Sequence, residues 1–390
     1  MTRLVELGLS PGKKRPYVLP LNNPSVVESG HATHLRPDDL VVGVVVAGRA
    51  RAYPWWIFAN HHVANDALIL SDAPAGYLLP HVRGNDGQPL APWYETLPLL
   101  VTLCEACAGC AAYVPVFDDA PEHPLVFTFA ERSSSGYSAV GTFTMSDVET
   151  QSRWHPLTGK AYSGKLAGRR LKRLPAFTER WDNWSGEFPE TDVVFAAEEM
   201  RRRFHVRKLP RVEDDAAHTS TFVARQKTPE LIDHRLAAND LVLGLGGSNS
   251  DEAIAYTLPR LKEAGGLLQC EFDDEPCLLV VSGDYRGCAF SRRFAGEVLD
   301  FELVSRQPFR FRDRSSGTAW SFIGEALSGP RAGGRLALLP DSYVSKWSDW
   351  SLAHPAATIG DHVTRQCQTV IAPTSNPIGH AKARDFGGTT

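Results

Sequence analysis

Apolar residues in this chain come in short blocks rather than long amphipathic stretches. LVVGVVV (40–46), LLVTL (99–103) and PLVFTFA (124–130) are rich in Val, Leu and Phe, and turn residues bound them: Pro-Asp (37–38), Gly-Asn-Asp-Gly (84–87) and Asp-Asp-Ala-Pro (118–121). Blocks of this length between turn signals predict buried strands. Helical patterns are few. The best is PWWIFANHHVANDAL (54–68), with a short second one at AAEEMRRRF (196–204). The expected fold class is therefore α+β and β-rich.

The same blocks return later in the chain in the same order. DDLVVGV (38–44) is matched by NDLVLGL (239–245), RARAY (49–53) by EAIAY (252–256), and PLLVTLCEACAGCAAY (98–113) more weakly by CLLVVSGDYRGCAF (277–290). GKAYSGKLAGRRLKRLP (159–175) aligns without a gap to GEALSGPRAGGRLALLP (324–340), and RWDNW (180–184) to KWSDW (346–350). Phe188-Pro189 and His354-Pro355 follow at equal spacing. Repetition in this order indicates an internal duplication. The expected organisation is an N-terminal extension (1–35), a first repeat domain (36–195), a charged connector (196–236), a second, degenerate repeat domain (237–360) and a C-terminal tail (361–390), with the two domains packed as a pseudo-twofold pair.

Length and charge narrow the function. The 390 residues suffice for two cores, and the net charge of −4 is spread along the chain, which argues against nucleic acid or an anionic membrane as partner. The basic run Arg201, Arg202, Arg203, Arg207, Lys208 and Arg211 reads as a solvated linker face. No apolar run reaches the ~18 residues of a membrane span, and the N-terminus shows no secretory h-region, so the expected setting is cytoplasmic. Seven cysteines are an odd number and too few for a disulfide scaffold, so they read as thiols, redox groups or metal ligands.

Chemistry concentrates in Cys104-Glu-Ala-Cys107-Ala-Gly-Cys110, directly after the strand pattern LLVTL. Thiolates at a turn leaving a strand converge on one ion, or form a redox dithiol. The bacterial iron–sulfur run needs a fourth Cys and a Pro, whereas Ala111-Ala112-Tyr113 follows here. His61-His62 precedes Asn65-Asp66, and an imidazole beside a carboxylate or amide suits a metal or acid–base site. His155, ahead of the turn Pro156-Leu157-Thr158-Gly159, is a third candidate. His31 and His34 read as loop residues. GLGGSNS (244–250) lacks the Lys of a phosphate loop, and no GxSxG elbow is present. Trp55, Trp56, Trp93, Tyr94 and Trp154 read as core. Opposite the cysteine run the second copy has Ser282-Gly283-Asp284-Tyr285-Arg286-Gly287-Cys288, and opposite His155 it has Ser321 or Phe322. Ligand chemistry is thus confined to the first copy, which favours an enzyme over a storage protein.

Together, Ala52-Tyr53-Pro54, His61, Asn65-Asp66, Thr102-x-Cys104-x-x-Cys107 and Glu149-Thr150-x-Ser152-x-Trp154-x-x-Leu157-Thr158-Gly159 resemble the domain-of-unknown-function family 3179. The match runs on through Leu166-Ala167-Gly168 to Trp181 and Trp184. The resemblance implies His61, Cys104 and Cys107 as a shared candidate site and leaves the activity open. Three features depart from the family pattern: His62 where an acid is common, the extra Cys110, and His155 in place of a polar residue. Many members look exported or membrane-anchored, whereas this chain shows no such signal.

The leading expectation is a metalloenzyme, an oxidoreductase rather than a hydrolase, acting on a small-molecule substrate. One transition-metal ion (zinc, copper or iron) would be held by His61, Cys104, Cys107 and Cys110, with His62 and His155 as catalytic candidates. The alternatives are a non-catalytic metal-binding protein, a structural zinc domain and a CxxC thiol redox protein. The sequence leaves the oligomeric state open.

Overall fold

The computed structural model describes residues 19–58, 61–70, 96–105, 107–120, 123–130, 142–195, 233–247 and 251–360. The candidate helix 196–204 and the C-terminal tail lie outside these residues, as does most of the N-terminal extension. The described chain is β-rich, with helices at Trp55–Phe58, Trp181–Glu187, Leu258–Glu263 and Trp347–Ala353. None of them is long and apolar enough to cross a membrane.

The expected helix over 54–68 is corrected by the structure. One helical turn, Trp55–Phe58, leads instead into the strand Val63–Ile69. The pattern misleads because Asn65 and Asp66 are polar on both faces of a strand and are satisfied by side-chain bonds. Asp66 accepts from Tyr53 Oη (2.6 Å) and Arg51 Nη1 (2.8 Å). Asn65 Nδ2 donates to Phe127 O (2.8 Å), and its Oδ1 accepts from Phe127 N (2.8 Å).

The described residues of the first half form three sheets. Ala176–Arg180, Leu40–Val46, Arg49–Pro54, Asp192–Val194 and Val26–Glu28 form one five-stranded sheet. A second runs Leu21–Asn22, Val63–Ile69, Thr96–Cys104, Gly109–Val114, Lys172–Leu174, and the strands between Phe127 and Ser163 make a four-stranded meander. The second half follows the same plan. Ser342–Lys346, Leu241–Gly246, Ala253–Thr257 and Thr358–Ile359 form one sheet, Leu267–Phe272, Glu275–Ser282 and Arg286–Ser291 another, and a four-stranded meander begins at Phe301–Arg306.

Single contacts match as well. A Cβ on Gly43 would lie 1.9 Å from the Trp184 ring, and one on Gly244 2.3 Å from the Trp350 ring, so each strand needs glycine where the indole crosses it. Trp154 Nε1 donates to buried Asp147 (2.9 Å), which also caps Thr150, while Trp320 Nε1 donates to buried Asp313 (3.0 Å), which caps Ser316. Gln269 bonds the backbone of Phe301 in both directions (3.1 and 2.9 Å), as Asn65 does with Phe127.

Four apolar clusters fill the described protein. One has its buried members in the first half (Val42, Tyr53, Phe58, Leu99, Leu103), with Leu241 packed against it, and one lies in the second alone (Leu243, Tyr256, Leu268, Leu279). The other two are shared. Val41, Phe177 and Trp184 pack with Leu278, Phe301, Phe311 and Trp320, and Leu100, Tyr113, Phe127 and Trp154 pack with Val242, Tyr343, Trp347 and Trp350.

Asn65 is a stability test of this plan. Asn65→Ala leaves the Phe127 N–H and C=O without their side-chain partner and is expected to lower stability by about 2 kcal/mol in urea unfolding. Gln269→Ala is expected to do the same in the second half.

Candidate functional site

The cysteine run occupies the hairpin between Thr96–Cys104 and Gly109–Val114, where Cys104 stands opposite Gly109 on the ladder. Ala108, with φ 57°, turns the chain back. Both thiols are enclosed, Cys104 at 1% exposure and Cys107 at 0%. The Cys107 amide N–H donates to Cys104 Sγ at 3.4 Å, and Cys107 Sγ reaches Cys104 O at 3.7 Å and Thr142 Oγ1 at 3.9 Å. Burial raises the Cys104 thiol, but the Cys107 thiol and N–H and the Thr142 hydroxyl outweigh it and hold Cys104 below its ordinary pKa. Burial and the neighbouring Cys104 push Cys107 well up. One thiol is thus set to ionise first and the other to keep its proton.

The opposite wall comes from the second half. Lys346 N donates to Cys107 O (2.8 Å), fastening the cysteine turn to the strand Ser342–Lys346. A narrow, closely packed crevice lies between them. Cys107, Thr142, His155 and Leu157 line it from one half, and Tyr343, Ser345 and Asp349 from the other.

Asp349 is buried, with the Ser348 hydroxyl donating to Oδ2 at 2.9 Å. Burial lifts its carboxyl from 3.8 to about 7, against the pull of Ser348 and Lys346. The amides of Leu157 and Thr158 both donate to His155 Nδ1 (3.2 Å each). A neutral ring so held carries its proton on Nε2. Burial, with His354 and Arg170 nearby, pushes His155 down to about 3, so it remains a neutral donor across the physiological range.

The structure brings Cys104, Cys107 and His155 to one site and places the other sequence candidates elsewhere. Cys110 is back on the strand and faces the first half's own core, where the Thr178 hydroxyl donates to its sulfur (3.7 Å) and burial pushes it up to about 11. His61 lies by the strand Leu21–Asn22, its Nδ1 2.7 Å from Leu19 O. His62 packs its ring by Phe129 and Phe143 (5.4 and 5.3 Å), with Nδ1 3.2 Å from Leu103 O. Among the described residues no three His, Cys, Asp or Glu side chains are grouped as a metal shell. His34 is a core histidine, edge-on to Phe195 (5.3 Å).

Sequence reasoning missed Asp349 and Tyr343. The signal for Asp349 was present as Asn183 in RWDNW against Asp349 in KWSDW, an acid gained by the second copy, whereas attention went to residues lost from it. The hairpin registers also correct the alignment of the copies by one residue. Leu100 pairs with Tyr113 as Leu278 pairs with Phe290, so Cys104 corresponds to Ser282, Gly109 to Arg286 and Cys110 to Gly287.

A family model described as a protein of unknown function, DUF3179, matches residues 18–72 and 94–364, which is most of the chain. No curated protein and no solved structure matches it. The match takes in both halves, including the cysteine hairpin and the Trp phrases, and on that extent the chain belongs to the DUF3179 family.

Proposed function

We propose that the protein is a thiol oxidoreductase whose working couple is Cys104 and Cys107, acting on a small oxidant such as a hydroperoxide or a low-molecular-weight disulfide. The observation that carries this reading is the Cys107 N–H on Cys104 Sγ at 3.4 Å, with Cys104 held below and Cys107 above the ordinary thiol value. Cys104 attacks as thiolate and the oxidant's bond breaks, its leaving group taking a proton. Cys107 then attacks the Cys104 sulfenic acid or mixed disulfide so formed, and the S–O or S–S bond to the oxidant's remaining part breaks. That part leaves as water or thiol, with the Cys107 proton relayed by the Asp349 carboxylate. Two thiols become one disulfide, and the two electrons leave with the reduced oxidant. His155 Nε2–H is the neutral donor available to the leaving group.

A second reading keeps a metal at this place. Two adjacent buried thiolates suit a soft ion such as Cu(I), held by Cys104 and Cys107 without the remote Cys110 or His61. In both readings the halves act as a pseudo-twofold pair, one carrying the thiols and the other closing the crevice. The two shared clusters and the matched Trp–Gly and Trp–Asp contacts support that arrangement.

The test is to expose tag-free protein to diamide and map thiols by alkylation and mass spectrometry, beside elemental analysis. A Cys104–Cys107 disulfide that dithiothreitol reverses, and that Cys104→Ser and Cys107→Ser variants of unchanged circular dichroism fail to form, is the expected result. Thiols that stay reduced while about one equivalent of copper or zinc co-purifies would move the assignment to the metal reading.

A further inference from the structure

The second half holds two cysteines on a different sheet from Cys104 and Cys107, and its ladder sets them face to face. Cys270, on Leu267–Phe272, stands directly opposite Cys277, on Glu275–Ser282. Both side chains are buried, at 2% and 0% exposure, in the apolar cluster of Leu243, Leu261, Leu268 and Leu279. Both are free thiols, and the Cys277 thiol donates to Glu275 O at 3.1 Å.

The first half has other residues at these places. Asn65 and Gln269 correspond through their bonds to Phe127 and Phe301, so Cys270 stands where the first half has Asp66. Cys277 stands where it has Leu99, the residue opposite Asp66. There Arg51 and Tyr53 tie the acid, and the strand Leu21–Asn22 covers the outer edge of Val63–Ile69. Leu267–Phe272 is instead an edge strand of its sheet among the described residues, and two residues separate each cysteine from the turn Asp273-Asp274. An edge strand close to its turn opens locally at a lower free energy than the core as a whole.

The register also fixes how the sulfurs can meet. Asp273 and Asp274 both have positive φ (54° and 61°), as a two-residue hairpin turn demands. Pro276, which has no N–H to give, stands opposite Glu271 at a non-hydrogen-bonded position, and Val281 N donates to Gly266 O (2.8 Å) at a hydrogen-bonded one. Alternation along the ladder therefore makes Cys270 and Cys277 a hydrogen-bonded pair, with Cα atoms about 5.5 Å apart. That separation suits a disulfide, but the Cβ atoms, also about 5.5 Å apart, must be drawn in by roughly 1 Å. A bond made under that constraint is more easily reduced than a relaxed one.

We propose that Cys270 and Cys277 are a second, reversible dithiol couple, a modification site for hydroperoxides. One thiolate attacks a peroxide oxygen, the O–O bond breaks, and water or an alcohol leaves with the proton that thiol released. The sulfenic acid so formed is attacked by the other thiol, its S–O bond breaks, and the hydroxide takes the second thiol's proton and leaves as water. Two thiols and one hydroperoxide thus become one disulfide, one water or alcohol, and one further water. The proposal rests on the ladder of the second half and is independent of the chemistry assigned to Cys104 and Cys107.

The experiment uses the full chain carrying Cys104→Ser and Cys107→Ser, so that the other couple cannot contribute; if that variant fails to fold, the parent chain is mapped in its place. Folded protein is treated with hydrogen peroxide, alkylated and mapped by mass spectrometry without reduction. A Cys270–Cys277 cross-link is expected, formed about tenfold faster than the Cys288 thiol is lost, and reversed by glutathione. Cys288 is the control because it is buried (6%) on the neighbouring strand, opposite Val280. Adding Cys270→Ala should leave Cys277 as a sulfenic acid that dimedone labels, with no cross-link. Absence of the cross-link, its appearance only after the circular dichroism is lost, Cys288 loss at the same rate, or a disulfide that glutathione leaves intact would overturn the proposal. If Cys270→Ala fails to fold, the cross-link map and the Cys288 comparison decide alone.

Discussion

Trp184→Ala is expected to lower stability by about 3–5 kcal/mol, because it empties the centre of a core that both halves build. The indole is 1% exposed, crosses Gly43, lies 4.5 Å from Phe188 and 5.5 Å from Phe177, and donates to Thr191 Oγ1 at 3.1 Å. Its counterpart Trp350 is equally enclosed, but Ala357 stands where Thr191 would be, and the buried Trp350 Nε1 has no hydrogen-bond partner among the described residues. The conservative pair Trp184→Phe and Trp350→Phe should therefore separate. The first breaks a bond to a buried hydroxyl that keeps only its own donation to Asp192 O (3.2 Å), for about 1 kcal/mol beyond the lost ring volume, while the second removes an unsatisfied donor and should cost less. Urea midpoints at unchanged m-value measure both. Equal costs for the two Phe variants would contradict the role given to Thr191.

The second large effect concerns pH, and it is hidden in the parent protein. Asp349 has its carboxyl raised from 3.8 to about 7, so between those values the folded state holds a proton that the unfolded state has lost. Stability from this group falls as pH rises from about 4 to 7 and then levels off. At ~1.4 kcal/mol per unit the full span is of order 4 kcal/mol. His155 has the opposite sign. Its pKa is lowered from 6.5 to about 3, so the unfolded state binds the extra proton and stability falls as pH drops through that range. The two slopes oppose each other over one window, and the parent should be nearly flat between pH 4 and 6.5 with respect to this pair. Asp349→Asn should expose the His155 slope, gaining stability as pH rises, and His155→Gln the reverse. Unfolding free energies measured from pH 4 to 8 test this. Two variants with parallel pH profiles would rule out the opposed pair.

What the sequence made legible were features whose cause is local. Gly43, Gly244 and the Trp phrases stand out because a ring crossing a strand tolerates only glycine, and that demand holds in both halves. Cys104 and Cys107 were found because they share one turn. Cys110 was grouped with them by even spacing, yet the turn ends at Gly109 and the strand that follows points the next side chain to the other face. His61 lies apart from the thiols for a related reason: the segment that follows it pairs as a strand and not as a helix. Tyr343 left no mark in the sequence, and the acid gained at Asp349 had no visible place, because only the docking of the two halves brings them to the thiols. A one-residue difference in hairpin length likewise shifted the alignment of the copies, and only the ladder registers reveal it.

The two shared clusters bear on how such a chain arose and how it folds. A polypeptide holding only one of these units would present half of each cluster to water, an apolar surface too large to leave bare, and would have to close on a second copy of itself. Two such units in one chain meet intramolecularly, whatever the concentration. With the partner guaranteed, the two halves need not be alike: one buries Arg286 against Phe177 and Phe322, and the other carries Cys104 and Cys107.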